Sequence, residues 1–237
     1  MSTIDGIGLA QPWIVLRFRA TSILFGRHVD RRIQMMDTNK IKDYSNLKYA
    51  LLQCTSKLKA LPEEKLQALL DIFHRQIFNK DVLLVTQGDR WNRVFFVERG
   101  IVRLFFNTPD GREFNKNFFM EGKFFWPATP ATRLHPSLFS IATLEMSHIW
   151  VADFAPFQKH LMTLQCWEAF ALPFAETLAD QKFNREYEFL MLDAEARYLS
   201  LLQQDPQLVS RVPDYHLASY LGMTNVTLSR VKRRCRF

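Results

Sequence analysis

The sequence predicts an α+β fold with three consecutive parts: an antiparallel β-roll of the double-stranded β-helix (jelly-roll) type, a long helix, and a C-terminal group of short helices. Three observations support this prediction. Short apolar segments alternate with turn-forming residues from 80 to 151, residues 167–204 favour helix throughout, and the helix-breaking Asp205-Pro206 step precedes three short helical segments. We place the boundaries at 47–165 for the roll, 166–204 for the long helix and 205–237 for the C-terminal helices.

The roll is predicted from short apolar segments that end at turn residues. Pro109-Asp110-Gly111 is a reverse turn, because proline presets φ and glycine accepts a positive φ. Short strands at this spacing indicate a small antiparallel roll or barrel. The segments predicted as strands are 82–85, 94–97, 101–106, 114–119, 140–143 and 148–151.

Helical spacing is found on both sides of the strands. A helix begins at Leu61-Pro62, and its apolar residues keep one buried face as far as Ile77. Residues 154–164 form a second, short helix. The long helix carries apolar residues on more than one side, which favours burial against a second subunit through residues 174–192, with an ordinary core helix as the alternative. Pro173 should bend this helix or mark its first turn.

The charge distribution indicates a polyanionic partner. The net charge is +7, and residues 211–237 contain six basic residues and one acidic residue, so most of the excess lies in the C-terminal segment. A concentrated basic segment favours nucleic acid or an anionic surface. Hydrophobic residues make up 48% of the chain, which suffices for a globular core and excludes the disordered and fibrous classes.

We expect neither a metal site built from cysteines nor a membrane span. Cys54, Cys166 and Cys235 are far apart in the sequence and no CxxC spacing occurs, which argues against zinc and iron–sulfur sites. No apolar run reaches the ~18 residues that cross a bilayer. The expectation is a cytoplasmic protein that has no metal or other cofactor and no membrane partner.

The first 35 residues fit no element of the predicted fold. Arginines interrupt their apolar runs, so the segment lacks the unbroken apolar core of a secretory signal. We expect residues 1–35 to be a leader outside the native protein, which would then begin near Met36. A chain that starts at Met36 should fold and bind its partner as well as the full chain.

The most informative segment is 212–234, which has the pattern of two helices joined by a sharp turn. Pro213 suits the start of the first helix, and Ala218 is small where a second helix must cross closely. Gly222 stands where the turn requires a positive φ, and Thr224 is a good N-cap for the second helix.

The second helix has one apolar face and one polar, cationic face. Leu228 and Val231 form the apolar face, and the place of Val226 is open. Hydroxyl, amide and guanidinium groups on the other face suit phosphate oxygens and base edges of double-stranded DNA, whereas a helical hairpin with a solvated basic face is the alternative. Arg230 is the best candidate for a base contact, and the last three cations are expected on phosphates. The candidate DNA-binding residues are Thr224, Asn225, Thr227, Ser229, Arg230, Lys232, Arg233 and Arg234.

These motifs resemble those of the Crp/Fnr family of bacterial transcription regulators. Residues 196–234 have the spacing of the family's helix-turn-helix, and residues 82–125 are similar to its cyclic-nucleotide-binding β-roll. The resemblance extends over residues 47–236. It implies a β-roll sensor, a long dimerisation helix, and a C-terminal winged helix-turn-helix with which a homodimer binds an inverted repeat. It also implies RNA polymerase as a partner and no catalytic residues.

The sequence departs from the family in its ligand site. Nucleotide-binding members carry a Gly-Glu pair and an Arg-Ser/Thr pair, and the corresponding positions here are Trp126-Pro127 and Ser137-Leu138. Arg133 lies nearby but is displaced by several residues. We therefore expect no binding of cAMP or cGMP. The roll is expected to be either a packed scaffold or a sensor of an unknown apolar small molecule, in a pocket formed by Phe125, Trp126 and Arg133.

The DNA-binding part departs from the family as well. The Arg-Glu pair of the family's recognition helix is replaced by Asn225-Val226, whereas Arg230 matches, so a different operator is expected. Phe237 comes directly after this helix, so little of the β-wing is expected.

Two other classes of function compete with a DNA-binding regulator. A cupin-like enzyme would need clustered histidines and a carboxylate for its metal, and the histidines here are dispersed in the sequence. A small-molecule sensor with a vestigial DNA-binding part is the second alternative. The histidines in question are His74, His135, His148 and His160.

Overall fold

The computed structural model describes residues 43–235. The predictions for residues 1–35 and for a start at Met36 lie outside these residues, and so do Arg236 and Phe237. The helices are α1 (Ser45–Cys54), α2 (Ser56–Lys59), α3 (Glu63–Leu70), α4 (Pro130–Leu134), α5 (Phe154–Thr163), α6 (Trp167–Met191), α7 (Ala194–Gln204), α8 (Pro206–Arg211), α9 (Asp214–Leu221) and α10 (Asn225–Arg234). The strands are β1 (His74–Phe78), β2 (Leu83–Val85), β3 (Arg93–Arg99), β4 (Val102–Asn107), β5 (Glu113–Phe119), β6 (Phe124–Phe125), β7 (Ser140–Thr143) and β8 (Ser147–Asp153).

The strands form two four-stranded antiparallel sheets, which together make the predicted β-roll. The first sheet has the order β1-β8-β3-β6, and the second has the order β2-β7-β4-β5. Strands that are distant in sequence lie side by side, so the chain passes repeatedly from one sheet to the other. Strand β5 is an edge strand of the second sheet, and its outer backbone groups need partners from elsewhere in the molecule.

Aromatic rings fill the space between the two sheets. The Phe125 ring is stacked between the rings of Phe95 and Phe119, with centroid distances of 4.9 and 4.5 Å. Leu104 and Ile149, one from each sheet, belong to the same buried cluster. Such rings bury a large apolar area, so the interior of the roll is a packed core.

The outer face of each sheet is covered by helices. Phe96 and Trp150 of the first sheet are buried under α1, α3, α5 and the start of α6. Phe118 of the second sheet is buried together with apolar residues of α7, α8, α9 and α10. The C-terminal helices therefore share a hydrophobic core with the roll.

Most of the predicted elements are confirmed. All six predicted strands are present, and so are the helix at 154–164, here α5, and the three helices after Asp205. The helix predicted to continue to Ile77 is wrong beyond Leu70. Residues 74–78 form strand β1, which pairs with β8 along its whole length from His74 opposite Val151. Long-range pairing with a strand that lies about 70 residues away overrides the local helical spacing.

The single long helix predicted over 166–204 is also wrong, because it is divided in two. Leu192 is extended, with φ −104° and ψ 141°, and the Asp193 carboxylate accepts the Ala196 N–H at 2.8 Å as the N-cap of α7. An aspartate that caps a new helix start favours this break. Pro173 lies inside α6 and does not end it. Because of this break, residues 194–204 form a separate helix, which packs in the hydrophobic core of the C-terminal helices.

Candidate nucleic-acid interface

Helices α9 and α10 are joined by a turn that only glycine fits well. Gly222 has φ +65° and ψ 39°, which is the left-handed region, and its N–H bonds back to the last turn of α9. A Cβ atom at this position would lie 2.3 Å from Cε1 of Phe189 on α6. Glycine therefore satisfies both the positive φ and the close approach of the turn to α6.

Helix α10 begins at the predicted cap and buries the predicted face. The Thr224 hydroxyl accepts the Thr227 N–H at 3.1 Å, which satisfies one of the unpaired donors of the first turn. Leu228 and Val231 are buried against α7 and α9. These contacts fix which side of α10 faces the protein.

The opposite side of α10 is exposed and carries four of the eight predicted DNA-binding residues. Residues 226, 229, 230 and 233 are spaced by three and four positions, so they form one continuous stripe. Asn225 lies beside this stripe in the first turn and is exposed too. We call this surface the exposed α10 face, and it consists of Asn225, Val226, Ser229, Arg230 and Arg233.

The four cations of α10 differ in what they contact. Within residues 43–235, no hydrogen bond or ion pair is found for the guanidinium groups of Arg230 and Arg233. The Lys232 ammonium bonds the Asp214 carboxylate of α9, and only 22% of its side chain is exposed. The Arg234 guanidinium lies 3.4 Å from the Glu195 carboxylate of α7. The structure therefore leaves two arginines free for an anion and engages the other two cations within the protein.

Two further predicted residues contribute to the helix start. Thr227 is half-buried, and its hydroxyl lies 2.9 Å from that of Thr224, so both hydroxyls take part in the cap. Val226 is a residue of the exposed α10 face that sequence reasoning left open, and 61% of it is exposed. Its position could have been found from the sequence, because it lies on the side of the helix opposite to Leu228 and Val231.

Two arginines hold the C-terminal end of α9. The Arg185 guanidinium of α6 donates to the Tyr220 carbonyl at 2.6 Å and stacks on the Tyr220 ring at 4.2 Å. The Arg197 Nε of α7 donates to the Leu221 carbonyl at 3.0 Å. The last carbonyls of a helix have no hydrogen-bond partner within the helix, and these two guanidinium groups bond two of them. Their positive charges also interact favourably with the negative C-terminal end of the helix dipole. The orientation of the turn into α10 is thereby coupled to α6 and α7.

The other side of α9 is attached to the edge of strand β5. The Ser219 hydroxyl accepts the Asn115 N–H and donates to the Glu113 carbonyl, both at 3.0 Å. The Ser219 hydroxyl thus bonds an N–H group and a carbonyl group of the β5 edge that a neighbouring strand would otherwise bond. The Arg211 guanidinium, at the end of α8, adds hydrogen bonds to the carboxylates of Glu121 and Glu145. The Arg211 hydrogen bonds lower the pKa of Glu121 to about 2.

A buried polar group lies at the centre of this attachment. The Arg103 guanidinium donates to the Asn115 Oδ1 at 3.3 Å, so the Asn115 amide nitrogen faces α9 and lies 3.1 Å from Nδ1 of His216. His216 is 4% exposed. Burial, together with the charge of Arg103, lowers its pKa to about 4. The imidazole is therefore neutral at pH 7, with Nδ1 as an acceptor.

The three residues predicted to form an effector pocket lie in different surroundings. Phe125 is fully buried in the core between the sheets, whereas Trp126 points to the opposite side and is stacked on Phe174 of α6 at 3.7 Å. The Arg133 guanidinium donates to the carbonyls of Pro127 and Ala128, at 3.1 and 2.8 Å. Each side chain thus has a packing or hydrogen-bonding role in the fold.

Among residues 43–235, no group of three histidine, cysteine, aspartate or glutamate side chains is arranged to hold a metal ion. The same residues contain no helix that is both long enough and apolar enough to span a membrane.

Comparisons with known proteins agree with this fold. Residues 75–163, which include most of the roll, match the family model described as a cyclic nucleotide-binding domain. Among solved structures, the c-di-GMP responsive global regulator CLP of Xanthomonas campestris has 16% identity and a TM-score of 0.56, and the match covers 73% of this chain and 91% of that chain. A CooA mutant from Carboxydothermus hydrogenoformans has 23% identity and a TM-score of 0.54, with 71% and 78% covered. FixK2 from Bradyrhizobium japonicum has 19% identity and a TM-score of 0.52, with 68% and 83% covered.

These neighbours are regulators of the Crp/Fnr family, so the resemblance of the fold to that family is confirmed. At such low identity the likeness shows the fold and leaves ligand and operator open. No curated protein matches the chain in sequence.

Proposed function

We propose that the protein is a sequence-specific transcription regulator of the Crp/Fnr type, with α9 and α10 as its helix-turn-helix. Helix α10 is the recognition helix, which enters the major groove of double-stranded DNA. The protein acts as a homodimer on an inverted repeat, and its function is not enzymatic. RNA polymerase as a partner and the cytoplasm as the location belong to the same proposal.

The exposed α10 face is the observation that carries this proposal. Two unpaired guanidinium groups, one amide and one hydroxyl project from a helix whose other side is buried. Arginine donates bidentately to guanine O6 and N7, and asparagine pairs bidentately with adenine by donating to N7 and accepting from the N6 amino group, so this chemistry matches major-groove edges. Recognition helices in this motif contact bases chiefly through their N-terminal residues, where Asn225 and Val226 lie.

The different contacts of the four cations support different roles for them in the proposed function. Arg230 is proposed to contact a base and Arg233 a phosphate. Lys232 and Arg234 are given smaller roles on phosphates, because Asp214 and Glu195 already neutralise them. Thr224 and Thr227 position the helix start, and since only one of the two hydroxyls donates in their shared hydrogen bond, the other can still donate to a phosphate.

Dimerisation through α6 is supported by the exposure of that helix. Among its 25 residues only Phe170 is buried. Phe183, Tyr187 and Leu190 are 70%, 60% and 75% exposed, and their spacing of four and three places them on one side. A helix with such a stripe buries it against another subunit, and two α6 helices would place the recognition helices about 34 Å apart, one turn of DNA.

The roll is proposed to act as a packed scaffold and not as a cAMP sensor. The space between its sheets is filled by stacked phenylalanine rings, and Arg133 is bound to carbonyls of its own segment. An effector at another place on the roll would be compatible with this proposal.

A mobility-shift assay with genomic fragments and the purified protein tests the proposed function. We expect a subset of fragments to be retarded in the presence of excess competitor DNA, with a steep loss of binding as salt rises. A sensor with a vestigial DNA-binding part, or an enzyme, would retard no fragment preferentially, and this result would overturn the proposal.

A further inference from the structure

Val226 is an apolar side chain in the middle of a polar surface. It lies in the first turn of α10 and is 61% exposed, while Asn225, Ser229, Arg230 and Arg233 surround it. A β-branched residue is a poorer helix former than alanine, and exposed apolar area gains nothing from folding. The contacts of the fold therefore do not explain why valine stands here.

The major groove offers one apolar group to such a side chain. Base edges there present hydrogen-bond donors and acceptors, and only thymine adds a methyl group, at C5. Contact between this methyl and the two Cγ methyls of Val226 would remove apolar area on both sides from water. Every other base would place a polar edge or an unfilled space against the valine.

We propose that Val226 determines part of the operator sequence by contacting a thymine methyl group. This inference rests on the proposed function, in which α10 enters the major groove. Val226 precedes Arg230 by one helical turn, which places their Cβ atoms about 5–6 Å apart on the same side of the helix. Base pairs rise by about 3.4 Å each, so the thymine should lie one or two base pairs from the guanine that Arg230 contacts. Each half-site would then combine a guanine and a nearby thymine.

Replacement of thymine by uracil, which removes only the methyl group, gives a direct test. The duplex is one selected from a random DNA pool by the purified full chain, and each thymine is replaced in turn in both half-sites. For the unaltered protein we expect one thymine position per half-site to be sensitive. Uracil at this position should lower the affinity about threefold to fivefold per half-site, because the free energy gained by burying one methyl group is lost. Uracil in place of any other thymine should leave the affinity within about twofold of that for the unmodified duplex.

Val226→Ala is the informative variant, because an exposed residue can be shortened without a cavity and alanine favours helix. It should bind thymine and uracil duplexes equally, at about the affinity of the unaltered protein for the uracil duplex. Met162→Ala, which shortens an exposed apolar side chain of α5 outside the exposed α10 face, serves as the matched control and should keep the preference for thymine.

The outcomes separate this inference from the proposed function. If the protein selects a sequence but no uracil position weakens its binding, or if Val226→Ala keeps the preference for thymine, the role of Val226 is wrong and the DNA-binding function stands. If no sequence is selected, both are overturned.

Discussion

At the residue scale, Arg230 and Arg233 lie on the same face of α10 but should serve different functions. Arg230→Ala should relax the preference for the operator over unrelated DNA by ~1–3 kcal/mol, the value of one bidentate contact with guanine. Arg233→Ala should weaken binding to all sequences and flatten the dependence of log affinity on log salt by about one unit. Titrations of operator and unrelated duplexes at several salt concentrations measure both effects.

Lys65→Ala is a suitable control for this pair, because it removes one exposed positive charge from α3. It should change neither the preference nor the slope. An unchanged preference in Arg230→Ala together with an unchanged slope in Arg233→Ala would contradict the proposed docking of α10.

His216 should make stability depend on pH. Its pKa is about 4 in the folded protein, whereas an unfolded histidine titrates near 6.5. Above pH 6.5 both states are neutral and the residue has no pH effect. As the pH falls below 6.5 the unfolded state takes up the proton first, so the folded state loses stability until the pH reaches about 4. Between pH 7.5 and pH 5 this loss should be about 2 kcal/mol.

Urea unfolding at these two pH values measures the effect. His216→Asn, which cannot take up a proton, should lose about 2 kcal/mol less than the unaltered protein between pH 7.5 and pH 5. An equal loss in both proteins would mean that the buried imidazole is not the cause.

The sequence predicts the members of the exposed α10 face better than it predicts their partners. The polar residues of α10 follow from helical spacing, which also contains the signal for Val226. The ion pair between Lys232 and Asp214 depends on how α9 and α10 cross, and spacing within one helix carries no information about that crossing. For the same reason the positions of Phe125, Trp126 and Arg133 could not be derived from their closeness in sequence.

At the element scale, α6 should hold the dimer together. Phe183→Glu places a carboxylate in the middle of the exposed apolar stripe, so the dimer would have to bury two unpaired charges at a cost of several kcal/mol. We expect this variant to sediment as a monomer at concentrations at which the unaltered protein is a dimer. Its affinity for the inverted repeat should fall at least tenfold.

Gln181→Glu provides the matched control for the element, because it adds the same charge to an exposed position of α6 on the side opposite to Phe183. This variant should remain a dimer. A dimeric Phe183→Glu protein would show that another surface carries the subunit contact.

The boundaries of elements were harder to predict than their existence. Strands of the roll follow from short apolar segments and turns, but β1 continues a helical pattern and becomes a strand only because β8 lies beside it. The break between α6 and α7 is visible in the sequence only as Asp193, a residue equally common on helix surfaces. Its capping role depends on the packing of α7 against the C-terminal helices.

At the scale of the whole molecule, the fold is similar to that of a cyclic nucleotide-binding domain, and stacked phenylalanine rings fill the space between its two sheets. Titration calorimetry with cAMP and with cGMP should therefore show no binding in the low micromolar range or tighter. A buried phosphate needs a cation or several N–H donors, and Arg133 is engaged with the carbonyls of Pro127 and Ala128. A dissociation constant in the low micromolar range would contradict the scaffold role of the roll.

The attachment of the C-terminal helices to the roll should make the two parts unfold together. Ser219 and Arg211 bond to β5 and to the loops next to it, and Phe118 and Tyr220 share one buried cluster. Contacts of this kind give the recognition helix a defined orientation relative to α6. In the proposed function, the roll would thereby support DNA binding by positioning α10, whether or not it binds an effector.

The most direct test of the central claim is the selection of DNA from a random pool by the purified protein. The account predicts enrichment of an inverted repeat whose half-site centres are about one helical turn, or 10–10.5 base pairs, apart. Arg230→Ala should broaden the enriched sequences at one position of each half-site. Enrichment of no sequence, or of a single site without two-fold symmetry, would contradict a dimeric regulator that binds DNA through α10.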